Sequence, residues 1–249
     1  MLRIIPILLV LGFPNLAVGQ AQESGQRTDP VVRKTDRITQ ANVYQLGTRS
    51  IAIPPPSGFV EALSQSDLVA NILIATEDPS NEVLTAHLPE EVLHQLKKGA
   101  RPEFSFYTKV SVLKLGKARE MTDAEFAGIV SYFESRSTQL LDINGPLMKT
   151  AVQNLTGGLS SSAGKEVPLE LEQPQNLGSF QKTNDVYSIM LVLTLKGGQY
   201  PLLGTMSFVK VNHRLLYVYT YRKFTSEKDA EILRDFTREW TEQIVAANR

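Results

Sequence analysis

Cysteine is absent from all 249 residues. That excludes disulfides, thiolate nucleophiles, cysteine metal sites and the acylated cysteine of a bacterial lipoprotein. An excess of one charge is also missing: 26 Lys and Arg balance 26 Asp and Glu, so no global field draws the chain to nucleic acid or anionic lipid. Histidine occurs three times and tryptophan once, which leaves few candidates for metal ligation or imidazole catalysis. No apolar run reaches the roughly 20 residues a membrane-spanning helix needs. What is present is ordinary globular material, 42% hydrophobic and 21% charged, in a chain long enough to bury roughly 70% of its unfolded surface.

The N-terminus reads as an export signal. Arg3 supplies the positive region, Ile4 to Leu11 the apolar region, and Ala17-Val18-Gly19 a small-x-small cleavage site before Gln20. Residues 1–19 are therefore expected to be a signal peptide and residues 20–42 a polar, flexible leader. The expected location is periplasmic or secreted, and after cleavage the chain is not membrane-spanning. A cysteine-free exported chain suits a bacterial periplasm better than a disulfide-forming secretory route. Asn154-Leu155-Thr156 matches a glycosylation acceptor, a triplet common by chance.

Residues 43–249 read as one domain. Arg49 to Ile53 alternates as a strand and meets Pro54-Pro55-Pro56, whose missing N–H groups end sheet pairing. Asn71 to Thr76 and Glu82 to Leu88 flank Asp78-Pro79-Ser80-Asn81 and are expected to form a hairpin. Pro89, the acidic pair Glu90 and Glu91, the basic pair Lys97 and Lys98, and Gly99 outline a short helix. Phe104 to Leu115 is strand-like. Thr122-Asp123-Ala124-Glu125 is a capping box opening an amphipathic helix to about residue 140, with Met121 placed to staple Phe126.

Pro146 to Leu155 predicts a short helix stopped by Gly157-Gly158, followed by a mobile insertion at about 156–180 whose residues 158–165 should be dispensable for folding. Three strands follow as an antiparallel meander: Val186 to Leu195, Leu202 to Val211 and Leu215 to Phe224. A last helix is entered at Ser226, with Leu233, Phe236, Trp240 and Ile244 on one face.

The segment "HLPEEVLH", residues 87–94, places two histidines seven apart around two glutamates. On a continuous helix they would share a face, but Pro89 puts His87 in the preceding strand. The zinc pattern of two histidines four apart is not there, so no metal site is expected. His213 follows Asn212 in a tight turn that tolerates positive φ. "GLSSSAGKE", residues 158–166, fails as a phosphate loop because its glycines are one residue too far apart and Glu166 stands where a hydroxyl is required. No Gly-x-Ser-x-Gly elbow occurs. No catalytic residue and no cofactor is expected.

Tyr217, Tyr219 and Tyr221 alternate along one strand face. They are read chiefly as a floor for the last helix and its Trp240, with ligand stacking as the alternative. Lys210, Arg214, Arg222 and Lys223 form a basic cluster, read as a solvated face.

Four stretches together resemble the PsbP-like family of exported and thylakoid-lumen proteins: "IAIPPPSGF", the "MTDAEF" helix, the hairpin ending in "RLLYVYTYRKF", and "SEKDAEILRDFTREWTEQIVAAN". The resemblance covers about residues 43–249. It implies an α+β fold, an antiparallel β-sheet covered by amphipathic helices in an α/β/α sandwich, and it carries no catalytic residues. The functional expectation is a non-catalytic periplasmic protein that binds another envelope protein, with Pro55, Phe59, Tyr217, Tyr219 and Tyr221 as the partner or ligand surface. Two alternatives stay open: a small hydrophobic-ligand binder, and a hydrolase using Glu90, Glu91 and His94. No nucleic-acid partner is expected.

Overall fold

The computed structural model describes residues 42–100, 102–196, 198 and 200–249. The signal-peptide reading of 1–19 and most of the leader reading of 20–42 lie outside the described residues.

The fold is α+β, a seven-stranded antiparallel sheet covered by helices. Strands β1 (Val43–Leu46) and β2 (Arg49–Ala52) make a separate two-stranded hairpin. The main sheet takes β3 (Phe59–Glu61), β4 (Asn81–Pro89), β5 (Phe106–Leu113), β6 (Gln175–Lys182), β7 (Val186–Leu193), β8 (Leu202–Val211) and β9 (Arg214–Lys223). Their spatial order is β3-β4-β5-β9-β8-β7-β6. The meander β7-β8-β9 forms as its sequence predicts, with Asn212 and His213 in its turn at φ of 46° and 59°. Because β7 and β8 are buried on both faces, "VYSIMLVL" and "LLGTMSFVKV" read as nearly unbroken apolar runs.

Five α-helices complete the described residues: α1 (Asp67–Ala75), α2 (Glu90–Lys97), α3 (Asp123–Leu140), α4 (Pro146–Ala163) and α5 (Glu227–Ala246). The capping box of α3 is present, Thr122 accepting from the Glu125 N–H while Glu125 accepts from the Thr122 N–H. Ser226 and Asp229 make a second one at α5.

Strand parity sorts the core into two layers. Tyr187, Ile189, Met206, Phe208, Tyr217 and Tyr219 face α1, α3 and α4, where they meet Leu73, Phe126, Phe133 and Leu155. Val110, Val112, Val209, Leu216 and Val218 face α5 and the β1–β2 hairpin, against Trp240, Ile244, Leu46 and Ile51.

Two expectations are corrected here. Residues 71–76 are not a strand: Asp67–Ala75 is helical, and Ser66 caps it by accepting from the Val69 N–H. The buried Val69 and Leu73 stand four apart, a helical spacing that the β-branched Ile72 and Ile74 obscure. Nor does Gly157-Gly158 end α4. The helix runs to Ala163 and stops at Gly164, whose φ of 64° is the left-handed cap a glycine accepts without strain. A Cβ on Gly158 would lie 1.9 Å from the Ala75 carbonyl oxygen, so this glycine exists to let α1 and α4 touch backbone to backbone. The segment read as a mobile insertion therefore contributes the end of α4 and the edge strand β6.

Candidate functional site

Three places in the molecule hold chemistry-bearing side chains, and the first is a polar knot that the sequence reading missed. Lys109 lies in β5 between Thr108 and Val110, with its side chain on the α1 side and fully buried. Its ammonium is 2.7 Å from Glu77 Oε2, and Glu77 follows directly on the C-cap of α1. Ser111 donates to the same oxygen at 2.6 Å, while the Asn81 side-chain amide and the Asp78 backbone N–H donate to Oε1 at 2.9 and 3.1 Å. The Tyr219 ring lies 5.2 Å from the ammonium. Burial pushes the Lys109 amine down and the Glu77 charge opposes that shift. Asn154 of α4 donates to Asp78, joining a second helix to the knot. The signal in the sequence was a lysine inside an apolar strand, which must find a partner if its parity points inward.

The second place is His87, near the end of β4. It faces α5, with Nδ1 3.0 Å from Thr108 Oγ1, Nε2 3.3 Å from Thr85 Oγ1 and its ring edge-on to Trp240 at 5.5 Å. Desolvation pushes its pKa down to about 3, so the imidazole is neutral. On the same side of the sheet lie buried hydroxyls: Thr205 and Thr220 bond each other and Thr237 of α5, and Ser188 joins Ser207 and the Gln181 amide. His94, Glu90 and Glu91 lie exposed on α2, whereas His87 is fully buried, and Glu91 accepts from Gln95. Among the described residues no three His, Asp or Glu side chains converge as metal ligands.

The third place is an aromatic rim where the strands end over α5. Phe59 of β3, Phe106 of β5 and Phe236 of α5 meet with ring centroids 4.9, 5.0 and 4.7 Å apart, all three half-buried. The Arg222 guanidinium lies over Phe106 at 5.2 Å and bonds Asp229 at 2.8 Å. Hydrogen bonds from Thr225 and the Arg222 side chain hold the Asp229 carboxyl well below its usual range. Pro55 is half-buried beside an exposed tip, Ser57 and Gly58, and the Trp240 indole N–H donates to the Pro54 carbonyl at 2.8 Å.

Of the five residues expected at a partner surface, Phe59 is part of the rim and Pro55 lies half-buried in the segment that leads to it. Tyr217, Tyr219 and Tyr221 are not on it, being 1–2% exposed. Nor are they a floor for the last helix: odd positions of β9 face α1, α3 and α4, and α5 covers Leu216, Val218 and Thr220 instead. Tyr221 stacks on Tyr107 at 4.8 Å, and burial pushes the Tyr217 phenol up to about 12. The basic cluster is also dispersed. Arg214 is buried and donates to the Leu46 carbonyl, and Lys210 is 8% exposed, bridging Asp123 and Asp185.

Beside the polar knot, Val69, Ile72, Leu73, Phe104 and Tyr107 line an apolar crevice of about 10 Å³. That is room for one water-sized sphere, against the roughly 300 Å³ at which ligand pockets begin.

No protein-family model matches the chain, and no curated protein matches it. Among solved structures, a mutant of Protein Mog1 is similar at 8% identity and a TM-score of 0.32, over 83% of this chain and 94% of that one. The Ran-binding protein Mog1p of Saccharomyces cerevisiae is similar at 8% identity and a TM-score of 0.30, over the same shares.

Proposed function

We propose that this is an exported, non-catalytic protein that binds another protein of the envelope through the aromatic rim, on a sandwich of the PsbP-like kind. The observation that carries the reading is the trio Phe59, Phe106 and Phe236, three rings in mutual contact yet only half-buried. Rigid aromatic rings beside an arginine are the residue types that anchor protein interfaces, because they bury much area at little cost in side-chain entropy. Pinning of Pro54 by Trp240 keeps the rim pre-organised. A non-catalytic role is supported by the state of the ionisable groups. The Lys109–Glu77 pair is spent on internal bonds, and His87 is sealed among threonines and Trp240. No helix among the described residues is long and apolar enough to cross a membrane.

Native mass spectrometry of residues 20–249, recovered with cross-linking from their own envelope fraction, tests the reading. One protein partner is expected at fixed stoichiometry. It should be lost in Phe59→Ala and in Ser57→Arg, the latter changing only an exposed tip and leaving the melting temperature in place. Retention of the partner by both variants would move the interface elsewhere. A bare chain carrying a stoichiometric small molecule would replace this reading with a ligand-binding one.

A further inference from the structure

Strand β3 ends the main sheet, and its hydrogen-bond parity leaves backbone groups open beside the rim. The Ala62 N–H donates to the Ala86 carbonyl at 2.8 Å and the Glu90 N–H to the Gly58 carbonyl at 3.3 Å, so residues 58, 60 and 62 turn their backbone groups toward β4. Residues 59 and 61 therefore turn theirs outward. Two of these outward groups are used inside the chain: the Phe59 N–H donates to the Pro56 carbonyl, and the Glu61 carbonyl accepts from the Gln65 side-chain amide. Among the described residues nothing bonds the other two, the Phe59 carbonyl and the Glu61 N–H. An acceptor and a donor two residues apart on one edge suit a single antiparallel residue set opposite Val60. The N–H that follows such a residue reaches Phe59, and the carbonyl that precedes it reaches Glu61.

On the reading of the rim as the partner site, we infer that the partner adds a β-strand to this edge, as an extended, uncharged segment with an aromatic or branched side chain opposite Phe59. Side-chain parity supplies the second contact. Phe59 points to the α5 side, onto Phe106 and Phe236, so the partner residue opposite it packs on the same rings. Charge selects an uncharged segment. The Glu61 carboxylate already accepts from the Leu63 and Ser64 N–H groups, and Asp229 already holds the Arg222 guanidinium, so neither calls for a counter-ion. A helix does not fit the open groups, because its own N–H and C=O groups are paired internally except at its ends. With Pro54 pinned by Trp240 and Phe59 tied to Pro56, the edge is ready before the partner arrives. Three residues make a short edge, which limits indiscriminate pairing and leaves specificity to the rings.

The probe is acetyl-Thr-Val-Thr-Phe-Thr-amide, whose middle threonine would face Val60, titrated into the nitrogen-15-labelled chain beside the same peptide N-methylated at its phenylalanine. The parent peptide should move the Glu61 amide proton downfield and slow its exchange with water. The methylated peptide lacks the N–H for the Phe59 carbonyl and should bind about fivefold more weakly or worse. That comparison needs no variant to fold. Glu61→Pro removes the outward N–H without touching a bond to β4, and it should weaken the parent peptide about fivefold beyond the loss in Glu61→Ala, which drops the same carboxylate and keeps the N–H. Equal binding of the two peptides, or an unmoved Glu61 amide, would overturn the added strand. Phe59→Ala separates this from the rim itself: loss of the peptide there with full retention in Glu61→Pro keeps the rim and removes the strand, and retention in both removes the two readings together. A wild-type chain that sediments as a dimer, and as a monomer in Glu61→Pro, would give the edge to a second copy and overturn the inference.

Discussion

His87 shows at the scale of one residue how burial turns a candidate ligand into a stability determinant. Its partners in the fold are Thr85, Thr108 and Trp240, all uncharged, so nothing offsets the cost of protonating it in place. With its pKa lowered from 6.5 to about 3, the unfolded chain binds a proton at this site in a range where the folded chain does not. Stability is then fully present above about pH 6.5 and is lost as pH falls toward 3, at roughly 1.4 kcal/mol per pH unit once well below 6.5. Asp229, whose pKa is lowered, adds its own loss only further down, as the carboxylates begin to titrate. Urea unfolding at pH 7 and at about pH 5 should therefore show a clear loss in the wild type, about 1–2 kcal/mol, and a flatter dependence in His87→Gln. An equal slope in both proteins would assign the loss to other groups. The sequence placed His87 in a strand because Pro89 opens the next helix, and β4 runs to Pro89. It did not tell which sheet face His87 occupies, because the bulge between Val83 and Thr85 resets the alternation that parity arguments rely on.

Elements with explicit end signals were legible, and elements held by contact were not. The capping box of α3 and the Asn212-His213 turn are local chemistry, and the fold contains both. Helix α1 has nine residues and an apolar composition that suits strand as well as helix, so its one local signal, the Ser66 cap, is outweighed in the sequence and its seat against α4 completes the decision. Gly158 makes the same point, since glycine pairs stop helices and also let helices touch. These two roles predict opposite signs for neighbouring substitutions. Gly158→Ala would drive a methyl into the Ala75 carbonyl and force α1 off α4, an overpacking cost of about 1–3 kcal/mol or more. Gly157→Ala meets nothing within 4 Å and removes a glycine from a helix interior, so it should stabilise by about 0.5–1 kcal/mol. Thermal unfolding of the two variants side by side checks this, and a stabilised Gly158→Ala would refute the close contact. By the same contact, deleting 158–165 should cost stability, against the expectation from its polar composition, because Leu159 is buried within it.

Across the whole molecule the β1–β2 hairpin and α5 form a clasp that no local pattern announces, since its bonds join residues nearly 200 positions apart. Asn248 accepts from the Ala52 N–H at 2.9 Å, donates to the Ala52 carbonyl at 2.7 Å and donates to the Ile244 carbonyl at 2.7 Å. Trp240 reaches Pro54, and Arg214 holds the Leu46 carbonyl from β9. The apolar side of the hairpin, Leu46, Ile51 and Ile53, is at 0% exposure only because α5 and the sheet close over it. A two-stranded hairpin has little stability of its own, so its order is borrowed from these side-chain bonds. Asn248→Ala removes all three of its bonds, including both that reach Ala52 of the hairpin, and should speed hydrogen exchange of the 43–53 amides about tenfold or more, while β7, β8 and β9 exchange as before. Trp240, the one tryptophan in the chain and 1% exposed, reports the same event optically. Its emission should move to the red as the hairpin loosens and water reaches the indole. If the hairpin amides keep their protection in Asn248→Ala, apolar docking alone holds the hairpin and the clasp is redundant. If all strands lose protection together, the hairpin is part of the cooperative core and not a separately opening unit.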